Sequence, residues 1–451
     1  MVKKMNARTA QAATWVFAFA GAHCSSTNAS PAADGGPVSD TSAPTDASPT
    51  NDSSSQDGGG DAGDGSCAFD PGVDGGLQTY TADNPNIQYF GRIDRTNPLR
   101  PRFPASAVYV TAKFRGDSVA VKINDQNLGG GYNLFDIFID DLPPAKLTPV
   151  QLQITYDVTP RDGTGQSLLA CGDHTVTVLK HTEADVGYTE FRGFEFAEIL
   201  PPDPPPTRKI EIIGDSITCG AGVEATSVSA PECIQNGLGG PGYGQGVENG
   251  GEAYGVVLAK ALHAQWHVVC AGGMGLLRNY YSRTAYDPRT MRDVYLNLYP
   301  EDMSSTTMWD YKQWTPDVVV IGLGTNDFSS IGDADGGLRT PMTQDEFQHG
   351  LTSFVDTLSG YYPGVTVVLV SSPILGNDYP NPGDTQLKDD QAAVQGAAAY
   401  YSDAGDAGVR VYAAIVDKVA GTGCGGHPSV AQQASAANKT IVPVIKAAMS
   451  W

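Results

Sequence analysis

Ile210-Glu211-Ile212-Ile213-Gly214-Asp215-Ser216-Ile217-Thr218 joins a short β-branched run to a Gly-Asp-Ser turn, and Gly220 and Gly222 follow at once. A strand that ends in such a turn presents its serine at the carboxyl edge of a sheet, the edge at which open α/β sheets bind ligands. Gly-Asp-Ser is also common turn composition, so the tripeptide alone does not separate a nucleophile from a solvated loop. Three later segments do. Gly322-Leu323-Gly324-Thr325-Asn326-Asp327 closes the stretch 317–323, apolar from Val318 onward, the pattern of a buried parallel strand. Asn326 then lies at the same edge as Ser216, where its amide can donate to an oxyanion. Ala271-Gly272-Gly273-Met274-Gly275 ends a strand between them, and its glycines let a backbone N–H approach a substrate closely. Gly425-Gly426-His427-Pro428-Ser429 puts a histidine in a loop before the last helix. Asn326 could cap a turn and His427 could be a surface residue; all four segments in this order at strand ends point to a nucleophile, a base and an oxyanion hole.

Outward from this stretch, strands alternate with helices. A helical period over 252–265 leads into a strand at 266–271, and Thr343-Gln344-Asp345-Glu346 reads as a capping box. It opens a helix with Phe347, Leu351, Phe354, Val355 and Leu358 on one stripe. Strands are expected at 365–370 and 409–415, helices at 386–401 and 430–449, the last one kinked by Pro443. Residues 207–451 therefore read as a doubly wound α/β domain, a flavodoxin-like three-layer parallel sheet. Before it, Pro201-Pro202-Asp203-Pro204-Pro205-Pro206 is a stiff connector. Residues 67–200 alternate instead: Val108, Val110, Ala112 and Phe114; Val119, Val121 and Ile123; Phe135, Ile137 and Ile139; Val150, Leu152 and Ile154; Val176 and Val178. Period two in short runs broken by Gly, Asp and Pro predicts an antiparallel β-sandwich, jelly-roll-like. Residues 25–66 are almost entirely Ser, Asp, Gly, Ala, Pro and Thr, a composition too poor in apolar surface to fold, hence a flexible acidic linker.

Residues 1–24 read as an export signal: Lys3, Lys4 and Arg8 precede a mostly apolar stretch, and Ala20-Gly21-Ala22 fits a cleavage site. A rival cut before Cys24 would leave a lipid-bearing cysteine, although His23 suits that signal poorly; secretion and a lipid anchor at Cys24 both stay open. The 451 residues carry a net charge of -22, which argues against nucleic acid and anionic membranes and suits a neutral polysaccharide. Seven cysteines in an exported chain imply oxidising conditions. Cys67 with Cys171 would staple the sandwich and Cys219 with Cys233 would close a loop beside the serine, while Cys270 and Cys424 are as readily buried thiols. No spacing resembles a CxxC metal site, so neither metal nor cofactor is expected.

With these motifs in place, the chain resembles the GDSL/SGNH hydrolases and, more closely, the two-domain family 2 carbohydrate esterases, which are acetyl esterases. The resemblance spans about 88–448 and rests on Gly214–Gly220, on Gly273-Met274-Gly275-Leu276-Leu277-Arg278-Asn279-Tyr280, on Trp309-Asp310-Tyr311 with Trp314-Thr315-Pro316-Asp317, on Gly324–Asp327 and on His427-Pro428-Ser429. In the sandwich it includes Gly91-Arg92, Phe114–Ser118 and His174-Thr175-Val176 with Lys180 and Thr182-Glu183. It implies Ser216 as nucleophile, His427 as base, and Ser216 N–H, Gly273 N–H and the Asn326 amide as oxyanion donors. Relatives usually carry an aspartate three residues before the histidine, where this chain has Cys424. A serine–histidine dyad, its ring N–H bonded to a backbone carbonyl, is the expectation; Asp417 is the candidate for an acid supplied from elsewhere. Tyr280, Tyr281 and Trp309, in an aromatic-rich segment, are candidates for a sugar-stacking rim, against the alternative that half of such residues are core. The resulting expectation is a monomeric, exported bacterial serine esterase acting on acetylated xylan or glucomannan; a small-ester lipase or thioesterase, or a carbohydrate-binding relic, are the alternatives.

Overall fold

In the computed structural model the described residues are 76–127, 132–150, 152–234, 245–280, 282, 289–300, 302, 304–329, 340–378, 382–403 and 408–451. The export signal, the linker, Cys24, Cys67 and Tyr281 lie outside them. Alternation builds the first half as expected. Val108, Val110, Ala112, Phe114, Val119, Val121, Ile123, Phe135, Ile137, Ile139, Val176 and Val178 are all at most 2% exposed and share one core. Two antiparallel sheets enclose it. One runs Gln78–Thr81, Gly187–Phe196, Ala120–Asn127, Thr155–Asp157, with Arg102–Phe103 beside its second strand. The other runs Glu198–Leu200, Tyr109–Gly116, Gly172–Lys180, Phe135–Ile139, Ala145–Leu147, with Gln88–Phe90 beside its second strand.

One expected strand is not there. Val150 and Leu152 are 53% and 96% exposed, and Leu152 has φ 71°. The Tyr156 hydroxyl closes a turn over this segment, bonding Val150 N at 3.0 Å and Gln153 O at 2.9 Å. The strand begins only at Thr155, so three alternating apolar residues after Pro149 were turn, not sheet.

The C-terminal half forms a five-stranded parallel sheet from β1 (Arg208–Gly214), β2 (Ala264–Cys270), β3 (Val318–Gly322), β4 (Thr366–Val370) and β5 (Arg410–Ala414), in the order β2-β1-β3-β4-β5. Helix α1 (Tyr254–Ala261) packs on one face and α2 (Gln344–Tyr361) with α3 (Gln386–Asp403) on the other. The capping box at Thr343 is formed, Thr343 N donating to Glu346 Oε2 at 3.1 Å. The C-terminal helix is divided into α4 (Val430–Ala436) and α5 (Val442–Met449) by a π turn over Ala437–Ile441. Pro443 lies in the first turn of α5; the wide turn before it takes up the carbonyl that a proline ring cannot approach and the N–H it lacks. The direction of chain winding reverses between β1 and β3, and such a switch point opens a crevice at the carboxyl ends of those strands.

The connector at 201–206 does not hold the halves apart; the described residues fall in one compact unit. Phe90, Ala107, Tyr109 and Leu179 of the sandwich share a core with Trp266 and Val268 of the sheet. Trp266 Nε1 donates to Ala107 O at 3.0 Å. Arg92, fully enclosed, donates to Glu211 Oε1 through Nε at 3.2 Å and Nη2 at 2.8 Å and stacks 4.4 Å over Tyr295. Glu211 lies in the middle of β1, the strand that delivers Ser216.

Candidate active site

The serine is delivered by a turn that only glycine permits. A Cβ at Gly214 would lie 2.0 Å from Thr218 Oγ1 and 2.7 Å from Gly322 O, so β1 can pass this close to β3 and to its own exit helix only without a side chain. Asp215 caps the one-turn helix Ser216–Cys219, its Oδ1 accepting from Ile217 N at 2.9 Å. Burial pushes the Asp215 carboxyl up to about 7, against that hydrogen bond. Ser216 is left half-buried at the crevice.

His427 arrives from the far end of the chain. Ser216 Oγ lies 2.8 Å from His427 Nε2, and Nδ1 lies 2.8 Å from the Cys424 carbonyl. Since Nδ1 faces only an acceptor, it carries the proton and Nε2 is free to take one from serine. Gly425 and Gly426 turn the chain through φ 61° and 84° so that Cys424 and His427 of the same loop can meet. Two disulfides brace the arrangement. Cys233–Cys424 ties the histidine loop to the loop after the serine, and Cys219–Cys270 joins the serine helix to the end of β2. The expected Cys219–Cys233 bridge is thus corrected, and Cys270 and Cys424 are not free thiols. The register that pairs Gly214 with Cys270 on adjacent strands brings Cys219 and Cys270 to a Cα separation of 5.6 Å. Cys171 is disulfide-bonded, while the Cys67 end of the expected pair lies outside the described residues.

Among the described residues, neither Ser216 N–H nor Gly273 N–H donates to any protein group. Gly273 has φ +72°, a conformation in which an N–H can be turned outward at no steric cost. Asn326, buried in the first turn after β3, donates through Nδ2 to Met274 O at 3.0 Å and lies 3.4 Å from Asp215 Oδ2. The neighbouring Asp327 accepts from Leu276 N at 2.9 Å, Leu277 N at 2.7 Å and Arg278 N at 3.1 Å, which pins the loop after Gly273 against Asn326. The three backbone partners of Asp327 belong to a loop about fifty residues away, which spacing along the chain does not reveal.

Two expected residues are placed elsewhere. Asp417 is exposed and lines a cavity with Ile217, Tyr254, Gln433 and Lys439 that contains neither Ser216 nor His427; the Cys424 carbonyl occupies the position an orienting acid would take. Trp309 is 8% exposed, edge-on to His267 at 5.4 Å and 5.8 Å from the Arg92 guanidinium. It belongs to the seam between the halves and not to a sugar-binding rim, because the strand that follows it is buried on both faces. Tyr280 does stand beside Gly273, its N–H donating to Gly273 O at 2.8 Å.

No group of metal-binding residues occurs among the described residues, and no helix there is long and apolar enough to cross a membrane. Residues 89–206 match the family model for the carbohydrate esterase 2 N-terminal domain, and residues 212–434 match the GDSL-like lipase/acylhydrolase family. Cellulase/esterase CelE of Acetivibrio thermocellus is 34% identical over 256 residues, 56% of this chain and 28% of that protein. An acetylxylan esterase / glucomannan deacetylase of Cellvibrio japonicus is 28% identical over 66% of this chain and 75% of its own length. Among solved structures, a family two carbohydrate esterase from Clostridium thermocellum in complex with cellohexaose superimposes with TM-score 0.64 at 29% identity, covering 81% of this chain and 99% of that one. A family 2 enzyme with a carbohydrate-binding domain from Corynascus thermopiles (Myceliophthora fergusii) gives 0.67 at 26% identity, covering 81% and 100%. With its N-terminal sandwich and its GDSL-like hydrolase domain each matched, one directly after the other, the chain belongs to the family 2 carbohydrate esterases.

Proposed function

We propose that this chain is an exported carbohydrate esterase that removes O-acetyl groups from xylan- or glucomannan-type polysaccharide through an acetyl-enzyme on Ser216. The observation that carries the reading is the 2.8 Å contact of Ser216 Oγ with His427 Nε2, beside two backbone N–H groups that have no partner among the described residues. His427 takes the serine proton as Oγ attacks the acetyl carbonyl. The oxygen that becomes negative is received by Ser216 N–H, Gly273 N–H and the Asn326 amide, whose longer contact to Asp215 gives way. The imidazolium, steadied by the Cys424 carbonyl, then returns the proton to the departing sugar oxygen, and water repeats the cycle to release acetate. The exposed Gly272 and Gly425 leave both loops beside the dyad low, which suits a bulky polymer carrying a small acyl group. The names of the relatives favour acetylxylan and glucomannan; the basic and then apolar stretch at 1–24, followed by an acidic linker, favours export.

Burial lowers the His427 pKa from its ordinary 6.5, partly countered by the Cys424 carbonyl. Only the neutral ring accepts the serine proton, so activity is retained above the lowered pKa and lost as pH falls through it. The acid limb of kcat/KM for p-nitrophenyl acetate is therefore expected to have its midpoint below pH 6.5; a midpoint above 7 would contradict this assignment. The substrate reading is tested by acetate release from acetylated xylan and acetylated glucomannan, with p-nitrophenyl decanoate as the lipase control. Release from either polysaccharide supports the reading, and hydrolysis confined to the decanoate would replace it with a lipase.

A further inference from the structure

The turn that carries Gly273 is held from the other domain. Gly272 N–H donates to the carboxylate of Glu183, a buried residue in the sandwich loop between Gly172–Lys180 and Gly187–Phe196. The approach is so close that a Cβ on Gly272 would lie 2.9 Å and 3.0 Å from the two Glu183 carboxylate oxygens. The same carboxylate lies 3.5 Å from Cys219 Sγ, at the end of the serine helix.

Glu183 is itself tightly bracketed. Its N–H donates to Glu248 Oε1 at 2.7 Å, and Thr182 Oγ1 donates to Asn133 Oδ1 at 2.7 Å. Lys180, with no exposed surface, aims its ammonium at the Thr182 carbonyl, at Pro104 O (3.2 Å) and at Glu183 O (3.4 Å). A second tether runs from the sandwich to the serine helix, where Ser106 Oγ lies 3.0 Å from Cys219 O. Lysine, threonine and glutamate at 180, 182 and 183 thus form a rigid loop whose outermost polar group meets the oxyanion loop.

We propose that Glu183 is a positioning residue for ester hydrolysis: it fixes the Gly272–Gly273 turn so that Gly273 N–H points at the developing oxyanion. The inference rests on the esterase reading of Ser216 and His427. Two adjacent glycines have a wide choice of backbone conformations, and a donor that wanders is a poor one, since such groups act by being oriented before the charge appears. Here the pair is clamped at both ends, Gly272 N by Glu183 and Gly273 O by Tyr280 N at 2.8 Å, with Gly273 N left over for substrate. The sandwich is then part of the catalytic apparatus, and its role is met without its touching the sugar.

The test uses residues 25–451, with Glu183→Ala, Glu183→Gln and Gly272→Ala, read by kcat, KM and melting temperature on p-nitrophenyl acetate. Losing one oxyanion donor outright costs about a hundredfold to a thousandfold in kcat; misaiming one should cost part of that. Glu183→Ala is expected to lower kcat roughly 10- to 100-fold with KM nearly unchanged. Glu183→Gln keeps an acceptor oxygen and should recover most of the loss. Gly272→Ala pushes on the same contact from the opposite side and should reproduce the kcat defect, so the proposal stays testable if Glu183→Ala does not fold. Wild-type kcat in Glu183→Ala or Gly272→Ala, a loss confined to KM, or a Gln variant no better than Ala would overturn it. A wild-type protein inert toward every acetyl ester would instead overturn the esterase reading.

Discussion

Ser216→Ala is expected to lower kcat/KM for acetyl-ester hydrolysis by about five to six orders of magnitude while leaving the melting temperature within a few degrees. The first part follows from the single role of the hydroxyl. Among the described residues Ser216 Oγ makes one hydrogen bond, to His427 Nε2, and no other hydroxyl there is bonded to that nitrogen, so none of them can take over the attack. In serine hydrolases removal of the nucleophile alone costs about as much as removal of the whole catalytic set, because the set works as a unit. What remains would come from the oxyanion hole, since the alanine variant keeps its backbone N–H, and that residue of activity is typically about a thousandfold to ten-thousandfold over water. The second part follows from packing, because the serine side chain is half-exposed and caps nothing. Steady-state kinetics with p-nitrophenyl acetate and a thermal melt check both; a loss under a hundredfold would mean that another group is the nucleophile.

Arg92→Ala is expected to destabilise the protein by about 3–5 kcal/mol, the usual result of removing one partner of a buried ion pair. Glu211 has no exposed surface and lies in the strand between β2 and β3. Arg92 supplies two of its hydrogen bonds, both to Oε1, and the Tyr295 hydroxyl donates to Oε2. Without the guanidinium the carboxylate keeps one donor and no counter-charge in the middle of a sheet. Because Arg92 comes from the sandwich, the loss also releases the domain seam, so urea unfolding should become less cooperative. The double variant Arg92→Met with Glu211→Met, apolar on both sides, should be less damaging than the single one. Urea titration followed by tryptophan fluorescence and by far-UV circular dichroism measures this; a single variant within 1 kcal/mol of wild type would show that the pair is not buried in solution.

Much of the fold and of the site could be read from residues close together in sequence. The buried strands announced themselves as apolar runs, and the sandwich core as alternation that holds for twelve residues in or beside four strands. The Ser216–His427 contact was legible because its departure was local: Cys424 stands where a carboxylate is usual, three residues before His427, and a loop of two glycines brings the Cys424 carbonyl to 2.8 Å from the ring Nδ1. What failed were features decided by distant partners. The register of β1 on β2, not spacing along the chain, pairs Cys219 with Cys270. Trp309 looked like a sugar platform until Arg92, about two hundred residues earlier, was found against it. Leu152 fitted a period of two, but three residues after a proline are too few to outweigh the turn closed by Tyr156. Nothing in the sandwich loop that holds Glu183 announces that its carboxylate will reach Gly272 of the next domain.

The central claim is that Ser216 is made reactive by His427 held on a carbonyl, with no carboxylate required. Labelling with a fluorophosphonate, followed by mapping of the modified peptide by mass spectrometry, tests it most directly. Wild-type protein and Asp417→Asn should label at Ser216 at the same rate, His427→Ala should label at least a hundredfold more slowly, and Ser216→Ala not at all. An Asp417→Asn variant that labels as slowly as His427→Ala, or a label found on any residue other than Ser216, would contradict the account.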